Sequence, residues 1–179
     1  HDPCAYLDTN TSSDTSYDTA LILDVPTASV TQIFEDAGYT DEVDTLLTRD
    51  AMFVQVRDTD ENRNPQSIDT IKVTVYVGNG TSEGVSALGL VIDTETLTLT
   101  EAGETSGIFR SGSVMVTDTT KPVVSDGRVS WGRQDTMEVR YGDVQGGDTS
   151  TDSALAMEIA TASRVLFYED TAYIDDVLD

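Results

Sequence analysis

Residues 18–44 read DTALILDVPTASVTQIFEDAGYTDEVD, and residues 152–178 read DSALAMEIATASRVLFYEDTAYIDDVL. The two stretches align without a gap at a constant offset of 134 residues, and 11 of 27 positions are identical. The identities include Thr27-Ala28-Ser29 with Thr161-Ala162-Ser163 and Glu35-Asp36 with Glu169-Asp170. Leu23/Met157, Asp24/Glu158, Val25/Ile159 and Phe34/Tyr168 are conservative pairs. The duplication bears on fold class because one copy disambiguates the other. Alone, Ala154–Ala162 (ALAMEIATA) has the composition of a helix. Its twin, ALILDVPTA, contains β-formers and Pro26, so both copies read as strand. In the first copy these strands are Ala20–Val25 and Ser29–Phe34, with Pro26 preventing one continuous central strand.

The region between the copies alternates at a period of two. Met52, Val54 and Val56 share one face of Ala51–Arg57, and Ile71, Val73, Val75 and Val77 share one face of Thr70–Val77. Further strands are expected at Val85–Ile92, Thr96–Leu99, Ile108–Thr117, Arg128–Trp131 and Thr136–Tyr141. Turn signals separate them at Asp58–Pro65, Gly78–Gly80, Ala102–Gly107 and Gly146–Ser153, the last read as a flexible connector. Short strands between such turns, with no sustained helical period, predict an all-β sandwich. Residues 1–17 (HDPCAYLDTNTSSDTSY) read as an extended polar N-terminal arm. Residues 18–179 read as a single β-sandwich domain in which 152–178 repeats 18–44.

Thirty-three acidic residues face ten basic ones in 179 residues, for a formal charge of −23. Such a surface repels nucleic acid and anionic membranes and suits divalent cations, high salt, or both. Saline solubility alone is the plainer explanation. No apolar run reaches transmembrane length, so no membrane insertion is expected. Cys4 is the only cysteine and His1 the only histidine. That inventory removes intrachain disulfides, Cys/His zinc sites and Ser-His-Asp or Cys-His catalysis. No feature selects a carboxylate pair for glycoside hydrolysis, and the chain is read as non-enzymatic. A start at His1 without Met is expected for a processed mature chain or for a trimmed one.

The strongest cation candidate is Asp58-x-Asp60-x-Asn62, whose alternating oxygen-bearing side chains can be aimed by one tight loop at a hard cation such as calcium. Asp69 falls at position 12 counted from Asp58, where a calcium loop commonly closes. Arg63 stands where an EF-hand needs glycine and strands flank the loop, so an EF-hand is rejected. The competing reading is a turn held by Asx hydrogen bonds. The duplicated loops, with Glu35, Asp36 and Asp41 in one and Glu169, Asp170 and Asp175 in the other, are weaker candidates and also read as solvated acidic faces. Asn10 and Asn79 head glycosylation sequons, which makes glycans a further possible partner. Trp131 with Tyr141 or Tyr76 suggests either a sugar platform or, more commonly, core aromatics.

Three motifs, in order, carry a resemblance. They are Asp58-Thr-Asp60-Glu-Asn62-Arg-Asn64-Pro65, then Leu99-Thr100-Glu101-Ala102-Gly103-Glu104-Thr105-Ser106-Gly107-Ile108-Phe109, then Gln134-Asp135-Thr136-Met137-Glu138-Val139-Arg140-Tyr141-Gly142-Asp143. Over Arg49–Asp143 the chain resembles the immunoglobulin-like repeat of large secreted surface proteins of bacteria and archaea. It departs from that pattern at Gln134 (glycine in the repeat), Thr105 (asparagine) and Gly142 (a polar residue). The resemblance implies an immunoglobulin-like antiparallel β-sandwich and an extracellular, non-catalytic, structural or adhesive role at the cell surface.

The duplication adds a mechanical expectation. Edge strands invite strand addition, and a head-to-tail contact that does not close makes a filament. The leading expectation is therefore a secreted filament or surface-layer subunit, a homopolymer of copies of itself, assembled by β-strand exchange and stabilised by calcium. The assembly residues would be Cys4, Ala20, Leu21, Leu23, Val25, Ala154, Leu155, Met157 and Ile159. The alternatives are a closed pseudo-symmetric sandwich that holds both copies, or an excised segment of a longer array. Either would act as a monomeric cell-surface adhesin or ligand-binding module.

Overall fold

A computed structural model describes residues 27–80, 89–118, 122–132, 134–143 and 147–157. The described residues contain ten strands and no helix. They are β1 (Val30–Phe34), β2 (Thr45–Leu47), β3 (Ala51–Arg57), β4 (Thr70–Gly78), β5 (Val91–Glu101), β6 (Ile108–Arg110), β7 (Val114–Thr117), β8 (Arg128–Ser130), β9 (Thr136–Gly142) and β10 (Thr149–Met157). The all-β expectation holds.

The strands form one mixed sheet in the order β2-β10-β9-β4-β5-β6-β3-β7-β8, with β1 added to β3. Most pairs are antiparallel, but β10 with β2 and β7 with β8 are parallel, which the antiparallel expectation did not include. The alternation in β3 and β4 works as the sequence predicts: Met52, Val54, Val56, Ile71, Val73, Val75 and Val77 all enter one core, together with Leu99, Phe109, Trp131, Met137, Val139, Ala154 and Ala156. The sheet curls so that β1 packs across β10, and β8 packs across β5. The result is a sandwich-like all-β body around one apolar core.

Several boundaries move. Val91–Glu101 is one 11-residue strand, so the division between Val85–Ile92 and Thr96–Leu99 is not observed. Residues 81–88, the start of that expected strand, lie outside the described residues. Ile108–Thr117 is two strands, because its ends pair with β3 at different places: Ile108–Arg110 with Gln55–Arg57, and Val114–Met115 with Ala51–Met52. The presumed connector is also strand from Thr149 onward. The polarity of Thr149–Ser153 suggested a loop, but Ser150 meets the hydroxyls of Ser29 and Thr31, and Asp152 accepts from Ile33 N–H. Residues 1–17 and the strand expected at Ala20–Val25 lie outside the described residues, as does the second copy beyond Met157.

Candidate metal centre

The loop after β3 begins with Asp58, which is 1 % exposed. Its backbone N–H donates to Gly107 O at 2.8 Å. Gly107 has φ +57°, and a Cβ there would lie 2.9 Å from Thr59 Cα and 3.0 Å from Asp58 O. The close approach therefore requires glycine. In this way two of the three sequence motifs lock together. The third arrives from β9: Tyr141, buried, donates its hydroxyl to Asp58 Oδ2 at 2.8 Å.

Past Tyr141 the chain places Asp143 beside Asp58, and a turn closed by Asp143 N–H on Asp148 O (3.0 Å) adds Asp148. One carboxylate oxygen from each of Asp58, Asp143 and Asp148 lies within 4.8 Å of the others. Calcium–oxygen bonds of about 2.3–2.6 Å fit inside a triangle of that size. Asp58 and Asp143 are buried, and Asp148 is half-buried. Asp148 Oδ1 is buried without a hydrogen-bond partner, and so is Asn62 Oδ1 in the loop after β3. Buried acceptors left in that condition are costly, and a cation is one way to satisfy them.

The residues just before β1 run into this cluster. Thr27 N–H donates to Asp60 Oδ1 at 3.2 Å, and its hydroxyl donates to Asp58 Oδ1 at 3.2 Å and also to Asp60. Ser29 N–H donates to Asp148 Oδ2 at 2.6 Å. Electrostatics mark the pair Asp58–Asp60. Burial, then the hydrogen bond shared with Asp60, pushes the Asp58 carboxyl up to about 6. The same hydrogen bond, with Thr27, holds Asp60 down at about 2. Asp58 thus keeps a proton where its neighbour does not, and a cation would take over the proton's role of relieving like charge. Glu61 is also raised, first by burial, although Arg63 pairs with it at 2.6 Å.

Of the four residues expected from sequence, Asp58 lies in the three-carboxylate cluster and Asp60 is hydrogen-bonded to it through Thr27. Asn62 supplies a buried unpartnered oxygen. Asp69 serves a different end: its Oδ2 accepts from Asn64 N–H at 2.8 Å, and its own N–H donates to Glu101. Asp143 and Asp148 were not singled out from sequence, since they follow Asp58 by 85 and 90 positions and only the sheet brings them near. The one available signal was Asp143 as the closing residue of the third motif.

The duplicated acidic loop is self-contained in its described copy. Asp36 accepts from the backbone N–H groups of Gly38, Thr40 and Asp41 at 2.9 Å each, which lowers its pKa. Glu35 is raised by its hydrogen bond with Asp41. These contacts make the loop an Asx turn. Glu169, Asp170 and Asp175 lie outside the described residues, as do Asn10, Cys4, Ala20, Leu21, Leu23, Val25 and Ile159. Asn79 is exposed, and its Oδ1 accepts from Leu90 N–H at 2.7 Å. Trp131 and Tyr141 are core residues, and Tyr76 stacks under the Arg140 guanidinium at 4.6 Å, so they form no aromatic platform. Ala154 is buried in β10, while Leu155 and Met157 lie on the strand's other face.

Comparison with protein-family models and with curated proteins gives no match.

Proposed function

We propose that this chain is a non-catalytic structural unit of an extracellular filament or surface layer. Its fold is an immunoglobulin-like sandwich, it is joined head-to-tail to other copies by β-strand exchange, and it is stabilised by calcium. The observation that carries the reading is the position of the Asp58–Asp143–Asp148 cluster. It ties the segment that leads into β1, through Thr27 and Ser29, to the loops after β3 and β9. A cation there would hold the leading segment against the sandwich, as a junction under tension requires. The extreme acidity and the sequence resemblance support the cell-surface setting.

Electron microscopy of the purified chain in millimolar calcium tests the assembly. Regular fibres that break down on chelation are expected, and discrete particles at high concentration would sink the filament. A melting curve with and without chelator tests the metal. At 100 times the dissociation constant, calcium adds about 2.7 kcal/mol, or roughly 5–11 °C for a domain of this size.

A further inference from the structure

Two places in the chain put glycine directly after a side chain whose carbonyl can close on the next peptide nitrogen. They are Asn79-Gly80 and Asp126-Gly127. Of the four asparagines, Asn79 alone precedes glycine. Ring closure needs an unobstructed approach to that nitrogen, and glycine has no Cβ to block it. The fold treats the two places differently.

Asn79 follows β4 and is exposed. Its backbone N–H donates to Leu90 O at 3.1 Å, and Leu90 N–H donates to Asn79 Oδ1 at 2.7 Å. Gly80 N–H makes no hydrogen bond among the described residues. The side-chain carbonyl and this free nitrogen border one small space beside Gly89, which has φ +60°. A Cβ on Gly89 would lie 2.5 Å from Asn79 Oδ1 and 3.1 Å from Gly80 N, so glycine there keeps the space open. At the second place the nitrogen is committed. Gly127 N–H donates to Glu95 Oε2 at 2.8 Å, and Asp126 N–H donates to Glu95 Oε1 at 3.0 Å. Glu95 is 2 % exposed, and the Asp126 carboxylate accepts from Arg128 N–H at 2.9 Å.

We propose that Asn79-Gly80 is a self-modification site, where the folded protein deamidates without an enzyme while the fold protects Asp126-Gly127. Solvent base removes the Gly80 N–H proton, and the nitrogen bonds to Asn79 Cγ. Leu90 N–H donates to the oxygen on which charge collects. The Cγ–Nδ2 bond then breaks, and Nδ2 takes a proton from water and leaves as ammonia. Water opens the resulting succinimide at either carbonyl, giving aspartate or isoaspartate. Both products add a negative charge beside Leu90. Isoaspartate also adds a carbon to the main chain just before Gly80, whose carbonyl accepts from the buried Thr136 hydroxyl at 3.2 Å. The reaction consumes the amide that a glycan on the Asn79 sequon would need, so the two modifications exclude each other.

The test uses the full unglycosylated chain, held folded in buffer or unfolded in urea at the same mildly alkaline pH. Peptide mass spectrometry reads the exchange of NH for O, isoaspartyl methyltransferase counts isoaspartate, and hydroxylamine cleaves at the succinimide. In the folded chain, product is expected at Asn79 and rises with pH, while Asp126 gives isoaspartate only when unfolded. Asn79→Gln is expected to lose the hydroxylamine cleavage, and Gly80→Ala to slow it, both with the melting midpoint unchanged. An Asn79 that stays intact in the folded chain but reacts in the unfolded one would overturn the proposal. Equal folded and unfolded rates at Asp126 would overturn the protection assigned to Glu95.

Discussion

Asp152 accepts a hydrogen bond from the backbone N–H of Ile33 at 2.7 Å, so the first residue of the second copy of the repeat clamps a strand of the first copy. Burial raises the Asp152 carboxyl, opposed by this bond and by Ser153 N–H. Among the described residues the first copy contributes β1 and the second most of β10, and the two strands are joined through these side chains.

The Asp58 carboxyl sets a pH dependence. Its folded pKa of about 6 lies above its unfolded value, so its contribution is full below about pH 4 and is lost as pH rises through 6. Asp60 acts oppositely, but its loss comes only as pH falls towards 2. In metal-stripped protein the melting midpoint should therefore fall between pH 4 and 7 more steeply than in the Asp58→Asn variant. Calcium at pH 7 should recover the loss, and Asp148→Asn should abolish that recovery. Parallel pH curves for the two proteins would contradict the assignment.

Gly107 is expected to tolerate no side chain. Alanine at φ +57° costs about 1–2 kcal/mol from backbone strain alone, and its Cβ would press on Thr59 Cα. Gly107→Ala should lower the midpoint by roughly 4–8 °C and weaken calcium binding, because Asp58 N–H is anchored on Gly107 O. Titration calorimetry reads the second effect.

Gln134 has φ +65° and its N–H donates to Ala156 O at 3.0 Å, pinning β10. Glycine takes this backbone conformation without the cost of a Cβ. Gln134→Gly should retain the bond, remove the strain and raise the midpoint by about 2–4 °C. A fall would show that the glutamine side chain contributes more than the strain removes.

Glu101 is 3 % exposed and its Oε1 accepts from Ser106 N–H and Gly107 N–H at 2.9 Å each, while Oε2 accepts from Asp69 N–H. Glu101→Ala should cost about 2–4 kcal/mol, seen as a lower denaturation midpoint. Glu101→Gln should lose less, because one oxygen remains.

Many of the acids are consumed in this way. Asp36, Asp93, Glu95, Glu101 and Asp152 each accept from backbone N–H groups at loops and strand edges. The charge excess is therefore in part a framework of loop clamps, a use that composition does not reveal.

The alternation of Ala51–Arg57 and Thr70–Val77 was enough to place β3 and β4, since a half-buried strand writes its two faces into every second residue. The glycine spacing of Ala102–Gly107 likewise located a turn. β2 left no such mark, because Thr45–Leu47 is three residues long and gains its place only by pairing with β10. The polar start of β10 read as a connector because its partners, Ser29, Thr31 and Ile33, lie about 119 positions away. Local pattern reports burial against a core, not a polar clasp between two edges.

The sequence by itself determined the all-β class, the acidic loop at Asp58–Asn62 and the duplication, because period, turn residues and repetition are local or linear properties. Only the tertiary structure decided which acids converge, since Asp58, Asp143 and Asp148 meet through sheet pairing across some ninety residues. It also decided where the described part of the second copy goes: Asp152–Met157 lies in β10 beside β9 and β2, because its buried alanines meet the core while the Asp152 carboxylate meets the backbone of β1.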